Sequence, residues 1–250
     1  MTNLRVAAHV HSVWSYDAEW TLEEIAAAFS RRRYDVVLLS EHDRSFNQER
    51  WLKYQEACRA ASTERITLIP GIEYEDGDGV VHTPVWGADV PFLGVGQPTL
   101  ELLGAAQKEG AVAVFAHPWR RNAIARYQPE WAPLLSALEI WNRKYDGIAP
   151  NRKMVRLAAK ENLSPFVSLD FHDSRQFFPL ALSMTLEGAP TVASVTEALR
   201  SGRFRPEFLG RTVFQFTGGL EGATLRALET ARRTVRKPVR VLQRRIRPTR

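Results

Sequence analysis

An α/β barrel is the fold class that the sequence predicts, and three observations predict it. Short apolar runs alternate with helical segments along most of the 250 residues. Several of these runs end in His, Asp or Glu, as they would if a parallel barrel delivered its chemistry to the C-terminal ends of its strands. With 44% apolar residues the chain can bury one full core.

The first run, residues 4–10, enters a strand directly and ends in His9-Val10-His11. A loop bearing Asp17 follows, and Thr21-Leu22-Glu23-Glu24 reads as a capping box that opens a helix. A strand over 35–40 delivers Glu41-His42-Asp43, and a helix over 47–62 leads to a strand over 66–72 that delivers Glu73. The turn Asp76-Gly77-Asp78-Gly79 and a strand over 80–86 put His82 on a hairpin. A helix over 99–109 stops at Gly110, and the next strand, 111–116, ends at His117. Segment 134–141 is read as a strand with Glu139 and Asn142 at its end. After it come a helix over 150–161, a strand over 165–170 ending in Asp170-Phe171-His172, a strand over 181–187, a helix over 194–201, a strand over 212–216 and a last helix from about Leu220. The pattern does not set the number of barrel strands.

No run of 18 apolar residues exists, so no membrane-spanning helix is expected. The first residues lack the features of a signal peptide, and Cys58 is the lone cysteine, so a reducing cytoplasm is the expected compartment. The net charge of +6 is unevenly spread. Residues 226–250 hold ten Lys and Arg against Glu229 alone, a local +9 that leaves the first 225 residues at −3. We therefore divide the chain into a main domain, 1–225, and a basic C-terminal tail, 226–250. The plainer reading of the tail is a solvated charge run; the functional one is an anchor for a polyanion, either nucleic acid or acidic lipid.

All six histidines, His9, His11, His42, His82, His117 and His172, lie at or near the ends of apolar runs. One such histidine is ordinarily a core residue. Two that are two apart on a strand share a face and can grip one ion, and the spacing recurs in Asp170 and His172. With Asp17, Glu73 and Asp170 in similar places, the set points to a multinuclear metal site.

The order His9-Val10-His11, Ser15-Tyr16-Asp17, Glu41-His42-Asp43, Gly71-Ile72-Glu73, His82, His117-Pro118 and Asp170-Phe171-His172 resembles the polymerase and histidinol phosphatase (PHP) superfamily of metal-dependent phosphoesterases. The resemblance implies a distorted (β/α)7 barrel with a three-metal cluster at the strand C-termini. By it, His9, His11 and Asp170 hold the first metal, and Glu73 bridges this metal to a second that His82 and His117 complete. Asp17, His42 and His172 hold the third. This chain has Glu41 where the family usually has Asp, so that carboxylate must orient its neighbour differently.

Imidazole and carboxylate donors without thiolates suit two to three divalent ions of Zn, Mn or Fe. Two such ions sharing Glu73 could hold a hydroxide as nucleophile. Among the cations near the ligand loops, Arg120 and Arg175 rank first as phosphate clamps, each three residues from a ligand, ahead of Arg44, Arg121, Arg143 and Lys144. Trp14, Trp119 and Trp141 are candidate pocket walls. The expected function is hydrolysis of a small phosphomonoester, a nucleotide, sugar or histidinol-type phosphate. The alternatives are hydrolysis of a carboxyl ester or carbamate, and a metal-stabilised, non-catalytic module that binds nucleic acid or a protein partner.

Overall fold

The computed structural model describes residues 1–246, with side chains up to Thr234. β1 (Thr2–Val10) is fully buried from Val6 onward. The capping box at Thr21 forms as expected, the Thr21 side chain accepting from the Glu24 amide and the Glu24 carboxylate from the Thr21 amide, and it opens α1 (Leu22–Arg31). β2 (Val36–Leu39) breaks at Ser40 and resumes as β3 (Glu41–His42). α2 (Gln48–Ala61), capped by Asn47, leads to β4 (Thr67–Ile69) and, past Pro70, to β5 (Gly71–Glu75). The turn at 76–79 then reverses the chain into β6 (His82–Trp86), an antiparallel hairpin in which Glu75 pairs with His82. α3 (Thr99–Lys108) ends just before Gly110, whose φ of +66° suits a residue without a side chain. There follow β7 (Val112–Phe115), β8 (Ala137–Asn142), α4 (Arg152–Lys160), β9 (Ser164–Ser168), β10 (Leu180–Leu186), α5 (Val192–Arg200), β11 (Phe204–Phe208), β12 (Arg211–Thr212) and α6 (Gly219–Ile246).

The fold is mixed α/β, but the strands do not close into one parallel (β/α)7 barrel. They form two six-stranded sheets, β12-β11-β10-β1-β2-β4 and β3-β5-β6-β7-β8-β9. Antiparallel pairs occur in both, β1 with β10 in one and β5 with β6 in the other. Hydrogen bonds from the segment after β9 stitch the sheets together: Leu169 N to Ala8 O (3.0 Å), Phe171 N to His9 O (3.0 Å) and His11 N to Phe171 O (2.8 Å). His9, His117 and Asp170 adopt left-handed backbone angles, with φ of 61°, 27° and 49°, and the β1–β2 register shifts at His9. A residue in that conformation cannot continue a ladder, and its side chain leaves the strand's alternation. The sheet is interrupted where the expected metal ligands turn inward.

The strand expected over 212–216 is also displaced. Residues 213–216 form a 3-10 turn and the strand is β11, which contains Pro206. β12 pairs only with Glu207 and Phe208, so one side of β11 at Pro206 is an edge, where a residue without an N–H is tolerated.

Two packing details place the site. Phe171, between Asp170 and His172, turns into the core, its ring 5.2 Å from Phe29 and 4.7 Å from Phe177, while Asp170 and His172 face the donor groups. At Gly71 a Cβ would stand 2.3 Å from the Trp86 ring and 2.6 Å from the Leu39 carbonyl. Glycine there lets β5 press close enough for Trp86 Nε1 to donate to Leu39 O (2.6 Å) and sets the depth of Glu73 two residues on.

The boundary expected at residue 226 falls inside α6, which is continuous across it. Most of the basic tail, and with it the expected polyanion anchor, concerns side chains after Thr234, outside the described residues. Among the described residues no helix is long and apolar enough to cross a membrane.

Candidate metal centre

The six imidazoles come from five places in the chain, and five of them, all but His172, converge on one buried carboxylate. Glu73, 1% exposed, has His117 Nε2 at 2.8 Å, His82 Nδ1 at 3.0 Å, His9 Nε2 at 3.1 Å and His42 Nδ1 at 3.2 Å. His11 Nε2 lies 3.6 Å from Glu73 and 3.9 Å from Asp170. His172 Nε2 and His42 Nε2 face Asp17 at 3.1 and 3.4 Å. The donor atoms gather in overlapping groups: His9, His11 and Asp170; His9, Glu73 and His117; His11, Asp17, His42 and His172; and His42, Glu75 and His82.

Orientation shows that these groups fit metal ions better than they fit one another. His9 Nε2, His11 Nε2, His42 Nδ1 and both nitrogens of His82 are buried without an aligned hydrogen bond, although Glu73 lies close to all but one of these atoms. Buried polar nitrogens left in this way cost free energy unless something satisfies them. A divalent cation of borderline softness between imidazole and carboxylate would satisfy both.

The far sides of the rings are held by second partners. His9 Nδ1 meets Glu139 Oε1 at 2.9 Å, while Glu139 Oε2 accepts from the His117 amide (2.7 Å) and from Asn142 Nδ2 (2.9 Å). His11 Nδ1 meets Ser15 Oγ at 3.2 Å, and Ser15 in turn donates to Glu41 Oε2 (2.5 Å). With that hydroxyl proton committed to Glu41, the Nδ1 of His11 is the donor, and its Nε2 lone pair faces the cluster. This is the arrangement that a metal-ligating histidine needs. Glu41 thus reaches its histidine through Ser15, while the Ser12 hydroxyl donates to its other oxygen. Its burial pushes the carboxyl up to about 7 against the bonds from both serines.

Charge inside the cluster is balanced only by sharing. Burial would lower His9, but Glu73, Asp170 and Glu139 outweigh it and hold the imidazole well above its ordinary range. His11, buried and facing His172 and His42, is pushed well below that range. Burial would raise Glu73 and Asp170, yet His9 and His82 around the one, and Lys144, His9 and His117 around the other, hold both well below the usual carboxylate range.

A recess of about 60 Å³ opens over the cluster, lined by Tyr16, Asp17, His42, Glu73, His82, His117, Arg120, Lys144, Tyr145 and Asp170. Arg120 reaches it as expected, with Nη1 on the Gly79 carbonyl (2.9 Å) and Nε on the Tyr145 hydroxyl (3.2 Å). Arg175 is not brought there. Its side chain is 85% exposed and folds back on Asp173 at 2.8 Å, because Asp173 caps the short turn that carries it. Lys144, ranked lower from sequence, is the cation at the cluster, 3.1 Å from both Asp170 Oδ1 and His172 Nε2. Arg44 is engaged by Glu75, and Arg143 lies over the Phe178 ring. Trp141 is buried in the core and Trp14 packs on Tyr54, so neither walls the recess; Trp119 is 43% exposed with Lys153 over its ring.

The sequence reading missed Glu75 and Tyr145 and assigned no role to Glu139. A carboxylate between Leu138 and Ile140 in an apolar strand was the available signal for Glu139. Glu75, two residues after Glu73, shares its face of β5.

No family model matches the chain, and no curated protein matches it. Solved structures do. PsfC from Pseudomonas syringae is similar at a TM-score of 0.67 and 16% identity, over 91% of this chain and 100% of that one. A two-domain protein from Bacteroides vulgatus, described as containing a predicted PHP-like metal-dependent phosphoesterase, is similar at 0.60 and 18% identity, over 83% of this chain and 65% of that one. The lesion-specific endonuclease EndoQ from Pyrococcus furiosus is similar at 0.54 and 11% identity, over 80% of this chain and 56% of that one. The chain therefore spans under two thirds of the latter two. At such identities the likeness establishes the fold alone.

Proposed function

We propose that this protein is a metal-dependent phosphoesterase that hydrolyses small phosphomonoesters. The observation that carries the reading is the convergence of all six histidines with Asp17, Glu73 and Asp170 beneath a recess rimmed by Arg120 and Lys144. In this reading His9, His11 and Asp170 would hold one divalent ion, His82 and His117 a second, and Asp17, His42 and His172 a third, with Glu73 available to the first two. Metals bound there supply Lewis acidity toward the phosphoryl oxygens and activate water for attack at neutral pH. Glu139 fixes the ring of His9, and Glu41 fixes that of His11 through Ser15. Arg120 and Lys144 bind the phosphoryl oxygens.

The recess is small and lined by polar side chains, so the phosphoryl group would enter it while the rest of the substrate lies at the mouth beside Tyr16 and Tyr145. Cations at the rim favour this reading over hydrolysis of a neutral carboxyl ester.

The test is a metal-reconstituted panel of phosphomonoesters, phosphodiesters and carboxyl esters. Phosphomonoesters should turn over fastest, with two to three equivalents of metal bound, and Glu73→Ala should abolish turnover. Arg120→Ala and Lys144→Ala should each lower kcat/KM at least about tenfold with metal content unchanged, whereas Arg175→Ala should stay within about twofold of wild type. Faster carboxyl-ester turnover, or one metal equivalent or less, would sink the proposal.

A further inference from the structure

Lys144 and Tyr145 stand over the cluster on a loop, residues 143–151, that is held from behind by α6. Glu229 on α6 is 6% exposed. Its Oε2 accepts the Ile148 amide at 3.1 Å, and the same carboxylate is gripped by Arg232 (2.6 Å) and Arg233 (2.5 Å). Arg233 then extends its Nη2 to the carbonyls of Asp146 (2.9 Å) and Tyr145 (3.3 Å). Between these contacts Gly147 has a φ of +84°, and a Cβ there would lie 2.3 to 2.4 Å from the Glu229 carboxylate. The loop therefore approaches the helix as closely as a backbone can.

The other face of the loop is the working one. Lys144 Nζ lies 3.1 Å from Asp170 Oδ1, the Tyr145 ring is 4.9 Å from His117, and the Tyr145 hydroxyl accepts from Arg120 Nε. Apolar contact would serve merely to dock a helix, and would avoid burying a carboxylate. A carboxylate and a guanidinium bonded to three successive peptide units specify a position as well as adhesion.

We propose that Glu229, acting with Arg233, is a positioning residue: it holds the backbone of residues 145–148 so that Lys144 and Tyr145 stand at the phosphate-binding rim, which makes the start of the basic segment part of the substrate site. The proposal rests on the phosphoesterase reading for its kinetic arm and on geometry alone for its structural arm.

The experiment uses the full chain, with p-nitrophenyl phosphate as substrate and inorganic phosphate as competing ligand. Glu229→Ala should raise KM and the phosphate inhibition constant at least about tenfold while the melting transition stays cooperative and metal content is unchanged. Glu229→Gln, which keeps an acceptor for Ile148, should recover most of the loss. Gly147→Ala, which pushes the two surfaces apart with the helix intact, should reproduce it. Glu229→Ala combined with Lys144→Ala should fall well short of additive, because Glu229 acts in part through Lys144. Amide hydrogen exchange over residues 144–148 in the metal-free protein should accelerate at least about tenfold in Glu229→Ala. Unchanged exchange, or additive effects in the double mutant, would overturn the proposal. If the wild type turns over no phosphate ester, the phosphoesterase reading fails, and the exchange measurement still decides whether the clamp exists.

Discussion

Glu139 shows how much of the candidate centre is decided one residue away from the expected ligands. Its two oxygens divide the work: one fixes the His9 ring, and the other holds the His117 amide and Asn142. Burial would raise this carboxyl, but the His9 charge and hydrogen bond, together with His117, keep it below its ordinary range. Gln at this position offers one acceptor where two are used, so either the His9 ring or the His117 backbone loses its partner. We expect Glu139→Gln to weaken metal affinity about 10- to 100-fold with the fold intact, as competition titration with a chelator would measure. Wild-type affinity would show that His9 needs no such orientation.

At the scale of elements, the antiparallel hairpin of β5 and β6 and the helix α6 do what a regular barrel unit could not. The hairpin sets His82 opposite Glu75 in register, and so returns a ligand to the site within ten residues of Glu73. α6 carries Glu229, whose pH behaviour is a check on its docking. Burial would raise the carboxyl, but Arg232, Arg233 and the Ile148 amide outweigh it and bring it down to about 2. A carboxyl whose folded pKa is depressed binds fewer protons folded than unfolded at acid pH. Its contribution to stability is therefore complete above the ordinary Glu range near 4.5 and is lost as pH falls toward about 2. The melting temperature of wild type should exceed that of Glu229→Gln at neutral pH, and the gap should narrow steadily below about pH 4.5. A gap independent of pH would mean that the carboxylate charge plays no part in holding the helix.

For the whole molecule, the division of charge no longer coincides with a division of structure. The first turns of the basic segment pack on the loop that carries Lys144, while the remainder of its positive charge lies beyond Thr234. A chain ending at Thr234 should keep full turnover and metal content. One ending at Leu225 lacks Glu229 and Arg233 and should show the raised KM of Glu229→Ala. Loss of turnover in the longer truncation, with folding intact, would place a second contact to the site further along the segment. If the distal charges are a polyanion anchor, that same truncation should also lose salt-sensitive binding to nucleic acid or anionic vesicles.

From the chain alone, alternating apolar runs and helical segments, the Thr21 capping box, the Asp76 to Gly79 turn and the histidines at strand ends specified a mixed α/β fold and nearly every residue of the buried cluster. These are local signals: periodicity, capping and spacing are written in neighbouring residues. What only the folded chain decided depends on long-range contact. The strands form two sheets where one barrel was expected, the backbone is left-handed at His9, His117 and Asp170, and Asp173 drew Arg175 away from the recess. Glu139 joined His9 across 130 residues, and Glu229 reached Ile148 across 81. A hydrogen bond between residues so far apart leaves no periodic trace in either segment, so Lys144 gained its place only when the chain had closed around it.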